Sequence, residues 1–273
     1  MNNIFDKDCL EGMREIDNDS VDCIITSPPY NKKGLLGKAA INKNFQNARL
    51  EKEERKANTT AEAEKINKKN DRYKYHEKGN QIWNKFEIDY ASYNDNMPEQ
   101  YYQQWMINVL NEMNRIIKPD GSIFFNHKPR RHKNRSLLPT DFISKSEANL
   151  YQLIIWDRRS SPNIRADILV PCTEHIYWLC KQKPKVYRDQ VDKDYKGEVW
   201  NISVKKQQDH PAPFPYQLVK NCILLSTQKN DIILDPFMGS GTTALVAQDL
   251  DRRWIGFEMD KEYIEKTRAK LQE

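Results

Sequence analysis

No stretch of this chain approaches the roughly 18 consecutive apolar residues of a membrane span. Its start, Met1-Asn2-Asn3-Ile4-Phe5-Asp6, lacks the basic-then-apolar pattern of a secretory signal. Neither a membrane protein nor a secreted one is expected. The five cysteines, Cys9, Cys23, Cys172, Cys180 and Cys222, are odd in number and include no C-x-x-C pair. They argue for reduced thiols in a cytosol, and against a disulfide framework or zinc ribbon. Five histidines, none spaced i, i+4, weaken a metal site further. With 38% hydrophobic and 30% charged residues, the chain must combine a packed core with a very polar surface. Its 273 residues suffice to bury that core without staples.

The net charge of +5 is unevenly spread. Residues 31–80 carry 14 Lys/Arg against 7 Asp/Glu, and 128–135 carry five Lys/Arg and no acid, which leaves the rest of the chain net acidic. Two basic patches on an acidic body point to a polyanionic partner.

Strands and helices alternate along the ordered-looking parts. Asn3-Ile4-Phe5 reads as a strand, Leu10, Met13 and Ile16 as a helix, and Val21-Asp22-Cys23-Ile24-Ile25 as a second strand ending in Thr26-Ser27-Pro28-Pro29-Tyr30. Residues 31–80 hold only 14 apolar residues and eight asparagines, so 31–95 reads as a basic insertion with at most one solvated helix, around 48–69. Tyr101, Trp105, Val109, Met113 and Ile117 mark an amphipathic helix whose aromatics read as core. Lys118-Pro119-Asp120-Gly121 ends it, and the strand Ser122–Asn126 follows. Then come a basic loop over 128–135, a helix near 141–149, strands at 150–156 and 175–179, and an irregular charged stretch over 181–209. A helix over Tyr216–Ser226, a strand at 231–234, a helix through Ala244 and Val246, a strand at 254–257 and a helix from Asp260 close the chain. The pattern predicts a single α/β domain over 1–273, with a mostly parallel seven-stranded sheet covered by helices on both faces.

Two constellations carry chemistry. Asp235-Pro236-Phe237-Met238-Gly239-Ser240-Gly241-Thr242-Thr243 runs from an apolar strand through small residues into a helix, where backbone can approach a ligand closely. Glu258 follows 23 positions after Asp235 at the end of the next strand. That is close to the offset of roughly 20 at which an acidic residue binds ribose hydroxyls. The lysine of a P-loop and the third glycine of G-x-G-x-x-G are both missing. The residues alone also allow a plain turn capped by Thr242 or Thr243, but Asp235 and Glu258 in register favour a nucleoside half-site. In the second constellation, Ser27-Pro28-Pro29-Tyr30, consecutive prolines fix the backbone beside an aromatic ring. Their carbonyls become rigid acceptors suited to a planar group bearing an NH₂. Pro-Pro-Tyr alone is also common in surface turns.

Together the two motifs resemble those of the DNA methyltransferases that modify exocyclic amino groups with S-adenosylmethionine. In that family the catalytic motif is [D/N/S]-P-P-[Y/F/W] and the cofactor motif is often D-P-F-x-G-S-G-T-T. The catalytic motif comes first here, which looks like the circularly permuted beta class. The resemblance extends to Asp8, Lys118–Gly121, Thr173–Trp178 and His210–Pro215. It implies a Rossmann-like methyltransferase domain acting on double-stranded DNA in the cytoplasm of a prokaryote, in a restriction-modification setting. It implies that Ser27 and the Pro28 carbonyl orient the amine, that Pro29 shapes the turn, and that Tyr30 stacks on a flipped base. Glu258 is implied to hold the ribose, Asp8 the adenine amine, and Asp235, Pro236, Phe237, Gly239, Gly241, Thr242 and Thr243 with Phe214 and Pro215 the methionine portion. No metal is implied.

Serine at the first motif position leans toward cytosine N4, where aspartate leans toward adenine N6. The basic residues Lys128, Arg130, Arg131, Arg135, Arg158 and Arg159 read as DNA phosphate contacts. Residues 181–209 are a short target-recognition segment, a task the insertion can share. Cys172 after Pro171 reads as a buried, inert thiol rather than the nucleophile of a cytosine-C5 enzyme. A homodimer, a cognate restriction endonuclease, an RNA or protein-amide substrate and a catalytically silent nucleic-acid binder of the same fold remain open.

Overall fold

The structure is a computed structural model and describes residues 2–31, 97–132, 134–159, 168–203 and 214–272. The expected helix at 48–69, nearly all of the 31–95 insertion, Lys133, Ser160–Asn163, residues 204–209 and His210–Pro213 lie outside the described residues. The chain divides into two units, residues 1–30 with 103–273, and residues 31–102. In the second unit, the Asn31 carboxamide donates to the Met97 carbonyl and accepts from the Met97 N–H, each at 2.7 Å.

The described elements are β1 (Asn3–Asp6), α1 (Cys9–Arg14), β2 (Val21–Thr26), α2 (Glu99–Ile116), β3 (Ile117–His127), β4 (Arg130–His132), β5 (Arg135–Leu137) and α3 (Thr140–Ile143). They continue with β6 (Asn149–Asp157), β7 (Thr173–Cys180), β8 (Val199–Asn201), α4 (Tyr216–Ser226), β9 (Ile232–Asp235), α5 (Thr242–Asp249), β10 (Arg253–Glu258) and α6 (Lys261–Gln272). Eight strands form one sheet in the order β1-β10-β9-β2-β3-β7-β6-β8. Only β7 runs against its neighbours, β3 and β6.

Burial follows the residue types. All six residues of β2 are buried, as a central strand covered on both faces requires. Cys23 and Ile25 join a core with Leu218, Val219 and Cys222 of α4 and Ala244 and Val246 of α5, while Ile24, pointing the other way, is equally inaccessible. The one acid in this strand, Asp22, is held by the Lys118 ammonium at 2.5 Å and the Ile232 N–H at 2.9 Å. Arg115 at the end of α2 donates to the carbonyls of Met13 and Ile16, which ties α2 to the chain leaving α1.

Three local expectations are corrected. The sheet has an eighth strand, β8, inside the stretch expected to be irregular. It is only three residues long, and one buried side chain, Trp200, anchors it by donating to the carbonyls of Tyr195 and Gly197. The basic loop contains a hairpin, with β4 paired antiparallel to β5. The helix expected over 141–149 is a single turn, α3, after which the Ser146 hydroxyl takes the Ile143 carbonyl and β6 begins. In addition, β3 starts at Ile117 rather than Ser122, and a shift of register between Val21 and Cys23 absorbs Lys118–Gly121.

Candidate active site

Strand register alone collects the chemistry at one edge of the sheet. Thr26 lies opposite Phe125, Gly256 opposite Asp235, and Asp6 opposite Glu258. Ser27, Asn126, Asp235 and Glu258 therefore stand at or just past the carboxyl ends of adjacent parallel strands. Because β7 is antiparallel, its first residues, Thr173 and Glu174, return to the same edge beside His127. From β2 the chain proceeds to β3, and from β9 to β10 on the opposite side. The crevice between β2 and β9 is thus a topological switch point, where open α/β sheets bind ligands.

Asp235 bridges that crevice. Its Oδ1 accepts from the Thr26 hydroxyl at 2.8 Å and the Phe237 N–H at 3.0 Å, and its Oδ2 from the Thr243 hydroxyl at 2.6 Å. Burial pushes its carboxyl up to about 6 despite these three donors, and nearby Glu258 adds to the rise. The loop that follows bends through Gly239 and Gly241, both in the left-handed region with φ of 52° and 79°. At Gly241 a Cβ would lie 2.4 Å from the Thr267 side chain of α6. At Gly239 it would meet nothing nearer than the Phe237 carbonyl at 3.9 Å, so the space beside this glycine is open.

Glu258 accepts from the N–H groups of Gly239 (2.8 Å), Met259 (2.9 Å) and Asp260 (3.0 Å). A carboxylate offers about four acceptor positions, so it can take a ligand hydroxyl as well. Asp8 caps α1, with Oδ1 receiving the N–H groups of Leu10 and Glu11. Phe214 packs against the main core and Pro215 immediately precedes α4. Trp105, read as core, is buried edge-on against Phe237 at 5.7 Å between ring centroids, so it supports the loop.

Around the second motif the hydroxyls of Ser27 and Tyr30 lie 2.9 Å apart. The Tyr30 hydroxyl also reaches Glu174 Oε2 at 3.2 Å. Asn126 Nδ2 lies 2.9 Å from the Tyr30 hydroxyl, 3.1 Å from Glu174 Oε2 and 3.3 Å from Ser27 Oγ. Glu174 Oε1 receives Arg158 at 2.7 Å, with Lys128 Nζ at 4.0 Å. The His127 ring lies 4.6 Å from the Tyr30 ring, and burial lowers its imidazole to about 3, so it is neutral at ordinary pH.

In the sequence Glu174 stands only within the Thr173–Trp178 stretch, and neither Asn126 nor His127 belongs to a motif that marks the site. A polar pair closing the otherwise apolar strand Ile123-Phe124-Phe125 was the available signal. Among the six basic residues, Arg131, Arg135 and Arg159 are exposed, Arg130 is buried, and Lys128 and Arg158 turn toward Glu174. Cys172 is half-buried rather than buried.

Residues 21–269 match the model of the N6/N4 methyltransferase family, described as DNA methylase. This chain belongs to the N6/N4 DNA methylase family. Among relatives of this DNA methylase, the Type II methyltransferase M.BglII of Bacillus subtilis is 24% identical over 301 residues, covering 97% of this chain and 67% of that protein. Among solved structures, the PvuII DNA methyltransferase, cytosine-N4-specific, has a TM-score of 0.68 at 20% identity, covering 97% of this chain and 84% of that one. The M1.HpyAVI complex with SAM has a TM-score of 0.57 at 20% identity, covering 98% and 99%. These structural likenesses bear on the fold, whose mostly parallel sheet and flanking helices they share.

Proposed function

We propose that this DNA methylase transfers a methyl group from S-adenosylmethionine to the exocyclic amine of a base flipped out of double-stranded DNA, with cytosine N4 the preferred target. The observation that carries the reading is the Ser27–Tyr30 hydroxyl pair, which follows the strand neighbouring the one that ends in Asp235, across a switch point that Asp235 bridges through Thr26. Glu258 and Asp8 would hold the nucleoside end of the cofactor. Asp235, Pro236, Phe237, Gly239, Gly241, Thr242 and Thr243, with Phe214 and Pro215 nearby, would hold the methionine end. When bound, S-adenosylmethionine would supply an electrophilic methyl carbon on a sulfonium sulfur, and the proton displaced from the amine would be left to solvent.

This chain's residues orient the acceptor. A neutral serine is no base at neutral pH, so Ser27 and the Pro28 carbonyl accept hydrogen bonds from the amino group and draw its nitrogen lone pair out of conjugation. Tyr30, backed by the neutral His127 ring, supplies the stacking face that a base needs outside the duplex. Arg131, Arg135 and Arg159 reach solvent and would meet phosphates. The cytosine preference rests on Ser27 in place of an acid, and a relative whose title reads cytosine-N4-specific supports it. A prokaryotic cytoplasmic setting, a cognate restriction endonuclease, a homodimer, and DNA recognition by 31–95 together with 181–209 belong to the same proposal.

The test is methyl transfer from labelled S-adenosylmethionine to duplex DNA, single-stranded RNA and protein in parallel. Label is expected in the duplex, with Ser27→Ala lowering the rate roughly a hundredfold or more while the melting temperature holds. Label confined to RNA or protein overturns the substrate assignment.

A further inference from the structure

We propose that Glu174 is a positioning residue that acts through Tyr30 to keep Ser27 a hydrogen-bond acceptor toward the target amine. The inference rests on the methyl-transfer reading above. The Ser27–Tyr30 contact at 2.9 Å is ambiguous in itself, since either hydroxyl can donate. Glu174 removes the ambiguity. A carboxylate only accepts, and Oε2 lies 3.2 Å from the Tyr30 oxygen, so the single Tyr30 proton belongs to Glu174. The Tyr30 oxygen then presents only lone pairs to Ser27, and Ser27 must donate to it. The serine proton is directed inward and Asn126 Nδ2, at 3.3 Å, faces one lone pair of Ser27 Oγ, which leaves the other to receive an N–H of the substrate. With the chain reversed, Ser27 would present O–H to an amine that presents N–H, and two donors would face each other.

The surroundings enforce this direction. Arg158 Nη1 occupies Glu174 Oε1 at 2.7 Å, with Lys128 Nζ behind it at 4.0 Å, so Oε2 is the oxygen left for Tyr30. Asn126 turns its amide nitrogen to Glu174 Oε2 and the Tyr30 oxygen, because the opposite orientation would set its carbonyl oxygen against the carboxylate. Its own Oδ1 is consequently buried with no hydrogen-bond partner among the described residues. A buried acceptor left unmet is costly, and it marks a side chain whose orientation is dictated by its neighbours. The relay sets orientation and is not the route of the departing proton.

In Glu174→Gln, Arg158 retains the amide oxygen, so the new NH₂ faces Tyr30 and reverses the chain. Tyr30→Phe keeps the ring and cuts the link. Single-turnover methyl transfer to duplex DNA should fall by roughly tenfold to a hundredfold in each variant, with cofactor and DNA affinity unchanged; Tyr30→Phe should melt close to wild type, whereas Glu174→Gln, which removes the counter-charge of Arg158, should melt lower. The double variant Glu174→Gln/Tyr30→Phe should be no slower than Tyr30→Phe alone, because Glu174 no longer has a path to Ser27. A purely structural role would multiply the two losses in the double variant, and that result overturns the relay. So does wild-type transfer by Tyr30→Phe, whatever the folding of the Gln variant. A wild-type protein that transfers no methyl at all overturns the methyl-transfer reading, and the relay with it.

Discussion

Asp235 is a buried carboxyl whose tie to Thr26 links the proposed target side of the crevice to the proposed cofactor side. Because its folded value of about 6 lies above the ordinary carboxylate range, the native state retains a proton that the unfolded chain has already lost. Its contribution to stability is full below about pH 4 and is lost as pH rises through about 6, a difference of about 3 kcal/mol. His127 has the opposite sign. Its value is lowered to about 3, so the unfolded chain takes up the proton first and stability falls as pH drops below about 6.5. The two trends offset one another in the wild type between pH 4 and 6. In Asp235→Asn the His127 trend, to which the lowered imidazole of His175 adds, is no longer offset by Asp235, and urea unfolding should show stability rising more steeply with pH across that window. An unchanged pH profile contradicts the buried, proton-retaining Asp235. The two loop glycines separate in the same way. Gly241→Ala drives a methyl into Thr267 from a left-handed backbone and should cost about 3 kcal/mol or more. Gly239→Ala enters open space and should cost about 1–2 kcal/mol, yet weaken S-adenosylmethionine binding in calorimetry. Unweakened binding by Gly239→Ala removes that opening from the proposed cofactor site.

Element by element, the β4–β5 hairpin is where charge and shape part company. Of its arginines, Arg130 is buried, whereas Arg131 and Arg135 project into solvent. Arg131→Ala/Arg135→Ala should lower the salt dependence of DNA binding by a slope of roughly 2 and leave unfolding untouched. A slope equal to wild type means that the hairpin does not touch phosphate. The sequence offered the charge run but not the hairpin, because seven of the eight residues in Arg130–Leu137 are polar and mask any alternation. It offered no sign of β8 either, whose pairing depends on the single anchor Trp200 within a polar stretch. By contrast, α4 over Tyr216–Ser226 and the strands around Ile24, Phe124 and Ile233 were legible, since their apolar spacing is dictated by burial on the sheet. The motif residues themselves were legible as Ser27–Tyr30 and Asp235–Thr243. The partners that orient them were not. Asn126 and His127 reach Tyr30 through the parallel pairing of β3 with β2, and Glu174, 48 positions from Asn126, through the antiparallel pairing of β7 with β3. Local patterns do not encode contacts at that range.

On the scale of the whole molecule, permuted motif order has little bearing on the site, because strand order rather than chain order sets what is adjacent. The strand bearing Ser27 and the strand bearing Asp235 are neighbours in the sheet, and the chain leaves them in opposite directions. The crevice so formed has an acceptor constellation on one wall and a nucleoside-type loop on the other. That division is the central claim: one side holds the methyl donor, the other presents an exocyclic amine to it. The most direct measurement is digestion to nucleosides, with mass spectrometry, of unmethylated DNA incubated with this protein and labelled S-adenosylmethionine. The account predicts labelled N4-methylcytosine that disappears with Ser27→Ala. Labelled N6-methyladenine would keep the reaction and overturn the base preference, and label at cytosine C5, or in no nucleoside, would contradict the account.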